Sequence, residues 1–323
     1  MKISSPAGQK INPGSRFSPL KAVFDAMRGP GVIALLLILL LSLNGCAFTD
    51  ALGHYLHPSE QEAEEEALPA IDTPVAAPTA IAQTPEACQR TIGTVTRIEI
   101  PSEALGEELT ASIYTPPCYD PVSGSYPVLY LLHGQSQDDT FWYSLGAAQI
   151  VDQAIAAGRR PFIMVMPYEE DAFAPVTESK FDDAFIDDLI PYVESHYAVC
   201  TERTCRAIGG ISHGAGWAVH IALMHIDLFS SVGAHSVGYF AGDSIRIGRL
   251  AKTMTPDEFP RFYVDRGEND YLKDDIDALD RVLTVYHIPH EYVVSPGSHA
   301  ASYWKAHVTD YLNWYMDGWD PQP

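Results

Sequence analysis

The chain has 323 residues, of which 46% are hydrophobic, enough to build one large core or two smaller ones. Its formal charge of -22 at pH 7 argues against nucleic acid and anionic membrane surfaces as partners, because both attract basic patches.

The first segment reads as a targeting signal. Lys2, Lys10, Arg16, Lys21 and Arg28 form a basic leader, and Gly31 to Leu43 is an uninterrupted apolar run, too short to span a bilayer comfortably. It ends in Leu43-Asn44-Gly45-Cys46, which resembles a bacterial lipobox. That resemblance implies cleavage after residue 45, lipidation of Cys46, and a protein anchored in the bacterial cell envelope and facing outward. A plain secretory peptide and an uncleaved short anchor are the alternatives. Residues 46–86 then read as an acidic, Ala/Pro-rich tether: Glu60, Glu62, Glu64, Glu65 and Glu66 precede Ile71-Asp-Thr-Pro-Val-Ala-Ala-Pro-Thr79, a composition that cannot bury a core. Residues 87–323 form the folded domain.

Of five cysteines, Cys46 is the lipid site. Cys88, Cys118, Cys200 and Cys205 are an even set in an exported chain and suggest two disulfides. Three pairings are possible, and Cys88–Cys118 with Cys200–Cys205 is favoured. No Cys/His spacing resembles a zinc site, so no metal is expected.

Thr91–Ile100 and Leu109–Tyr114 alternate and are β-branched, which suggests an antiparallel pair. Tyr126–Leu132 and Phe162–Met166 are continuous apolar runs, as in strands buried on both faces. Phe181–Val199 places Phe181, Phe185, Leu189 and Tyr192/Val193 on one helical face. Arg206–Ile211 is a strand and His213–Met224 a helix. Ser231–Ser236, Arg261–Asp265 and His290–Val294 are further strands, and Leu272–Tyr286 and Ala300–Met316 are amphipathic helices. Strands alternating with helices predict an α/β fold with a mostly parallel central sheet covered on both faces.

Gly210-Ile211-Ser212-His213-Gly214 is G-x-S-x-G between a predicted strand and a predicted helix, the context that makes the motif a nucleophile elbow. The tight turn lifts Ser212 above the sheet edge, and side chains at Gly210 or Gly214 would collide with neighbouring backbone. A serine nucleophile needs a base, an orienting acid and oxyanion donors, in the chain order Ser, Asp or Glu, His. Strand Arg261–Asp265 leads into Asp270, with Asp265, Glu268 and Asp274 as rivals. The last strand leads through Gly297 to His299, a loop position from which an imidazole can reach in. His220 and His225 sit on the helix after Ser212, His287 and His290 flank the last strand, and His235 lies on a strand. Tyr130-Leu-Leu-His-Gly134-Gln135 runs from a strand into a turn, so the Gln135 amide, with that of His213, is the candidate oxyanion hole.

With these stretches in hand, the sequence resembles the putative-esterase branch of the α/β-hydrolases, which includes esterase D, feruloyl and acetylxylan esterases, enterochelin esterases and mycolyltransferases. The resemblance rests on Tyr130–Gln135 with Asp138-Asp139-x-Phe141-Trp142, on Phe181–Tyr192, Ala207–Gly214 and Gly267-x-x-Asp270, and on Gly297-x-His299-x-x-x-Tyr303-Trp304-x-x-His307. It covers about residues 95–318. It implies an α/β-hydrolase fold, Ser212 as nucleophile, His299 as base, Asp270 as acid and the Gln135 and His213 amides as oxyanion hole. His213 departs from the pattern, since methionine or glutamine often follows the serine.

The expected activity is that of an exported, lipid-anchored serine carboxylesterase that works through an acyl-enzyme and requires no cofactor. Phe141, Trp142 and Trp217, the 168–180 loop and Tyr239-Phe240 are candidate substrate contacts. They suggest an aryl or sugar ester, such as a feruloyl or acetyl-sugar type. An acyltransferase using the same triad, or a non-catalytic surface-binding lipoprotein, are the alternatives. The sequence does not give the oligomeric state.

Overall fold

The computed structural model describes residues 88–320 apart from 123, 175, 239 and 241. The signal segment, Cys46, the tether and Tyr239 lie outside the described residues.

An eight-stranded sheet organises the domain, in the order β1-β2-β4-β3-β5-β6-β7-β8. The strands are β1 (Thr94–Ser102), β2 (Glu107–Thr115), β3 (Val128–Leu132), β4 (Ile163–Pro167), β5 (Arg206–Ile211), β6 (Ser231–His235), β7 (Arg261–Gly267) and β8 (His290–Ser295). β1 pairs antiparallel with β2, and β2 with β4, while every other pairing is parallel. The expected antiparallel pair and parallel sheet are both present. Every residue of β3, β4, β5 and β6 is buried, which is why these strands read as apolar or small-residue runs, broken only by Arg206 at the start of β5 and His235 at the end of β6.

Helices cover both faces. α1 is Ala147–Ala156. α2 is the continuous helical run made of Phe181–Asp183, a π-helical Ala184–Leu189 and Ile190–His196. α3 is His213–Met224, α4 Asp243–Leu250, α5 Lys273–Val285 and α6 Ala301–Asp317. One core layer packs Phe185, Leu189, Val219, Ile247 and Leu279 against Ile208 and Val264. The other packs Val151, Tyr311, Leu312 and Tyr315 against Leu129, Met164 and Ala207.

Two of the boundaries that differ from expectation have a visible cause. β3 begins at Val128, because Pro127 has no N–H for the ladder and offers only its carbonyl, to the Ile163 amide (2.9 Å). Tyr126 forms an isolated bridge with Val199 instead. α2 stops at His196, where Tyr197 turns extended. α1 and α4 were not anticipated, nor was the insertion of β4 between β2 and β3.

The four described cysteines are joined as Cys88–Cys118 and Cys200–Cys205, with Cα separations of 5.7 and 5.8 Å.

The Tyr315 hydroxyl occupies the space that a Cβ would need at both Gly209 and Gly233, which sit side by side on β5 and β6. Small residues there let α6 settle close on the sheet. Beneath this contact lies a buried polar knot. His235 Nδ1 is 2.8 Å from Asp265 Oδ1, and the Tyr303 and Tyr311 hydroxyls donate to Asp265 Oδ2 at 2.8 and 2.7 Å. The knot fastens α6, and with it the loop that precedes α6, to β6 and β7.

Candidate active site

The parallel strands end on one edge of the sheet, and that edge gathers the candidate residues. Ser212 sits between β5 and α3 with φ 57° and ψ -118°, a region that non-glycine residues occupy only when their surroundings impose it. Two bonds hold it there: Ser212 N–H donates to the His235 carbonyl (2.9 Å), and Gly238 N–H donates to the Ser212 carbonyl (2.8 Å). A Cβ at Gly210 would run into the backbone of Gly214, and one at Gly214 into the carbonyl oxygens of His133 and Leu132. The two glycines therefore let α3 start directly above β5 and against the end of β3.

His299 follows β8 and precedes α6, and Gly297 in this loop has φ 144°. Its Nε2 lies 2.8 Å from Ser212 Oγ, and its Nδ1 lies 3.0 and 3.1 Å from the two Asp270 oxygens. Asp270 comes from the turn after β7 and is 1% exposed. Burial is the largest influence on its carboxyl and acts to raise the pKa. Hydrogen bonds from His299, the Leu272 amide and the Ser236 hydroxyl outweigh it and hold the pKa below the ordinary 3.8. An ionised Asp270 fixes the proton of His299 on Nδ1 and leaves Nε2 free to accept from Ser212.

The rival groups lie elsewhere. Asp265 and His235 belong to the buried knot under α6. His220 pairs with Asp243, His225 with Asp182 and His290 with Asp280.

The oxyanion candidates lie where β3 and α3 abut. The Gly134 carbonyl accepts from His133 Nδ1 (2.8 Å) and from the Gln137 amide (3.0 Å). Because the peptide group is planar and trans, fixing that carbonyl turns the Gln135 N–H to the opposite side. The His213 amide is at the first turn of α3, where helix N–H groups have no partner within the helix. The Gln135 side chain turns outward and donates to the Ala172 carbonyl (3.1 Å).

The aromatic expectations are corrected in part. Trp142 and Trp217 are each 1% exposed. The Trp142 indole N–H donates to the Leu132 carbonyl (3.0 Å) and that of Trp217 to Glu169 (2.7 Å), so both serve the core rather than a substrate. Phe141 is half-buried, edge-on to Trp304. Tyr271, which the sequence did not single out, is 74% exposed with its ring 4.5 Å from that of His299. Exposed Phe173 stands on the loop after β4. A cavity of about 240 Å³ between that loop and the β1–β2 turn is lined by Leu105, Glu108, Tyr168, Glu169, Asp171 and Phe181 among others.

The chain is similar to several known proteins. Residues 102–253 match the family model described as "Putative esterase". The chain is 31% identical over 172 residues to an endo-1,4-beta-xylanase/feruloyl esterase of Xylanibacter ruminicola, covering 50% of this chain and 24% of that protein. It is 28% identical over 144 residues to Esterase Rv1288 of Mycobacterium tuberculosis, covering 42% of this chain and 30% of that one. The chain thus spans about a quarter to a third of the length of these curated relatives. Among solved structures, a ferulic acid esterase superposes with a TM-score of 0.62 at 22% identity, covering 70% of this chain and 98% of the other. FphF, a fluorophosphonate-binding serine hydrolase of Staphylococcus aureus, superposes with a TM-score of 0.60 at 18% identity, covering 70% and 99%. These likenesses show the α/β-hydrolase fold.

Proposed function

We infer that this chain, whose residues 102–253 match the Putative esterase model, is a serine carboxylesterase acting through Ser212, His299 and Asp270. The observation that carries the reading is the unbroken line from Ser212 Oγ through His299 to the buried Asp270, with separations of 2.8 and 3.0 Å. Three side chains from three separate loops meet at hydrogen-bond distance, and their order and polarity suit acyl transfer.

Ser212 Oγ bonds to the ester carbonyl carbon as its proton passes to His299 Nε2, and the carbonyl π pair moves onto oxygen. The amides of Gln135 and His213 receive that oxyanion, a contribution worth roughly 10²–10³-fold in rate per donor in other serine hydrolases. The intermediate collapses, the C–O bond to the alcohol breaks, and the alcohol leaves with the proton from Nε2. Water then attacks the acyl-enzyme, giving its proton to the same nitrogen. A second collapse frees the carboxylic acid and returns the proton to Ser212. Asp270 holds the imidazole and balances its charge while it is protonated.

The substrate reading is a feruloyl- or acetyl-sugar-type ester. It draws on the relatives' names and on Tyr271, whose exposed ring lies 4.5 Å from that of His299. Export and an anchor at Cys46 remain part of the reading. They are supported by the leader and lipobox-like sequence and by two disulfides, which persist in oxidising compartments.

The test uses the full chain in detergent, with release of p-nitrophenol from acetate and butyrate esters and methyl ferulate as a third substrate. Turnover is expected in the parent and loss by at least about 10³-fold in Ser212→Ala. A folded parent that neither turns over these esters nor is labelled at Ser212 by a fluorophosphonate sinks the reading. Added sugar alcohol that diverts the acyl group from water would instead assign the acyltransferase alternative.

A further inference from the structure

One buried acid near the nucleophile has no part in these steps. Glu169 lies just beyond the end of β4 and is 6% exposed. Its main chain is held from both sides, because the Tyr168 N–H donates to the Thr110 carbonyl on β2 (2.9 Å) and the Glu169 N–H donates to His133 Nε2 at the end of β3 (2.9 Å). Its carboxylate reaches in the other direction. Oε1 accepts from the Trp217 indole N–H (2.7 Å), and Oε2 lies 3.2 Å from His213 Nε2. The same indole N–H is 3.1 Å from His213 Nε2, so carboxylate, indole and imidazole close a triangle.

Both ends of this residue lead to an oxyanion arm. On the first side, the N–H of Glu169 occupies Nε2 of His133, which places that ring's proton on Nδ1. Nδ1 then donates to the Gly134 carbonyl, and the planar peptide transmits that constraint to the Gln135 amide. Burial lowers the His133 pKa, so the ring stays neutral and keeps this single tautomer. On the second side, the carboxylate holds the side chain of His213, whose own amide is the other donor. The two arms touch directly, since Gly214 leaves no room for a Cβ beneath the His133 carbonyl. An unpartnered Glu169 carboxylate in this place would be costly, and Trp217 and His213 satisfy it.

We propose that Glu169 is a positioning residue for the oxyanion hole, bracketing the Gln135 amide through its main chain and the His213 amide through its carboxylate. The proposal rests on the serine esterase reading. It assigns to the residue after the nucleophile a purpose for its imidazole: His213 is the side chain that the bracket grips. An oxyanion site gains its effect from donors fixed before charge develops, so loosening one arm costs rate in the transition state and little in ground-state binding.

The test compares the full-length parent with Glu169→Gln, Glu169→Ala and Trp217→Phe, the last of which keeps a buried ring and removes only the indole N–H and part of the ring volume. Each is assayed for kcat and KM on p-nitrophenyl butyrate, and for inhibition by an aliphatic trifluoromethyl ketone, whose adduct with Ser212 carries an oxyanion. The expected result is a fall in kcat of about 10- to 100-fold for Glu169→Ala, with KM within about threefold. The inhibition constant should rise by the same factor as kcat/KM falls. Glu169→Gln and Trp217→Phe should show smaller losses along the same line. A change in thermal stability alone, a change in KM alone, or a fall in kcat with unchanged ketone inhibition overturns the bracket. These outcomes presuppose an active parent. A parent without turnover or fluorophosphonate labelling overturns the esterase reading and the bracket with it, whereas an active parent with an unaffected Glu169→Ala overturns the bracket alone.

Discussion

The indole N–H of Trp304, on α6, donates to the Ser236 hydroxyl at the end of β6 across 3.1 Å and 68 residues of sequence. Ser236 in turn hydrogen-bonds the Asp270 carboxylate. Trp304 follows His299 by five residues, so the helix that begins just after His299 also reaches back, through Ser236, to Asp270.

Removing that support should be measurable. Ser236→Ala takes one donor from a buried carboxylate, so the Asp270 pKa is expected to rise. Asp270 is depressed in the fold, so its contribution to stability is fully present above its unfolded value near 3.8 and lost as pH falls through the folded value. In Ser236→Ala that contribution shrinks, by about 1–2 kcal/mol at neutral pH for one charge-assisted bond. Denaturation midpoints at pH 7 and pH 3 should therefore lie closer together than in the parent, and kcat should fall by less than about tenfold. An unchanged gap between the two midpoints would exclude the relay.

His133 predicts a stability loss of the opposite origin. Its pKa is lowered by burial, so the unfolded chain takes up a proton that the folded ring refuses. Stability should fall as pH drops below about 6.5, by at most about 1.4 kcal/mol per pH unit, until the folded ring itself protonates. His133→Gln, which cannot titrate, should flatten the change in melting temperature between pH 7 and pH 5. Equal slopes in parent and variant would show that other groups carry the effect.

The elbow glycines predict a steric failure. Gly214→Ala places a methyl against the His133 and Leu132 carbonyl oxygens, neither of which can yield without moving β3 or α3. A loss of about 2–3 kcal/mol in unfolding free energy is expected, with kcat reduced out of proportion because both oxyanion arms shift. Gly158→Ala makes a useful contrast. Gly158 has φ 97° with open space around it, so strain there should cost about 1 kcal/mol and leave kcat alone. Urea denaturation with parallel kinetics separates the two.

Asp270→Asn should keep the outline of the site and lose the charge. The neutral amide can hold His299 in the wrong tautomer, so a fall in kcat of about 10³–10⁴-fold is expected with little change in KM. Retention of more than a tenth of the activity would reassign the acid.

What could be read without the structure was whatever lay close in sequence or followed from period. The apolar runs of β3 and β4, the elbow around Ser212 and the loop histidine after β8 are local patterns, and the chain order Ser, Asp, His is a topological one. Glu169 was hidden because its three partners stand 36 to 48 residues away and no local pattern marks it. Ser236 was hidden for the same reason. Trp142 and Trp217 misled because an aromatic residue near a nucleophile looks the same in sequence whether it faces a substrate or the core. Here each indole N–H had a buried acceptor to satisfy, which drew it inward. α1 went unread because its apolar positions are mostly alanine and its left-handed start at Gly146 carries no capping side chain.

The bond between Cys88 and Cys118 has a mechanical consequence. β1 is an edge strand with β2 as its only neighbour in the sheet, and the chain enters the described domain just ahead of it. A pull on that entering chain would ordinarily unzip β1 from the end. With Cys88 joined to Cys118, which lies just past β2, tension arriving from upstream passes across the sulfur bridge and on into the chain beyond β2. The whole hairpin is short-circuited and carries no load. Reducing that one bond would turn a domain that resists traction as a block into one that peels strand by strand.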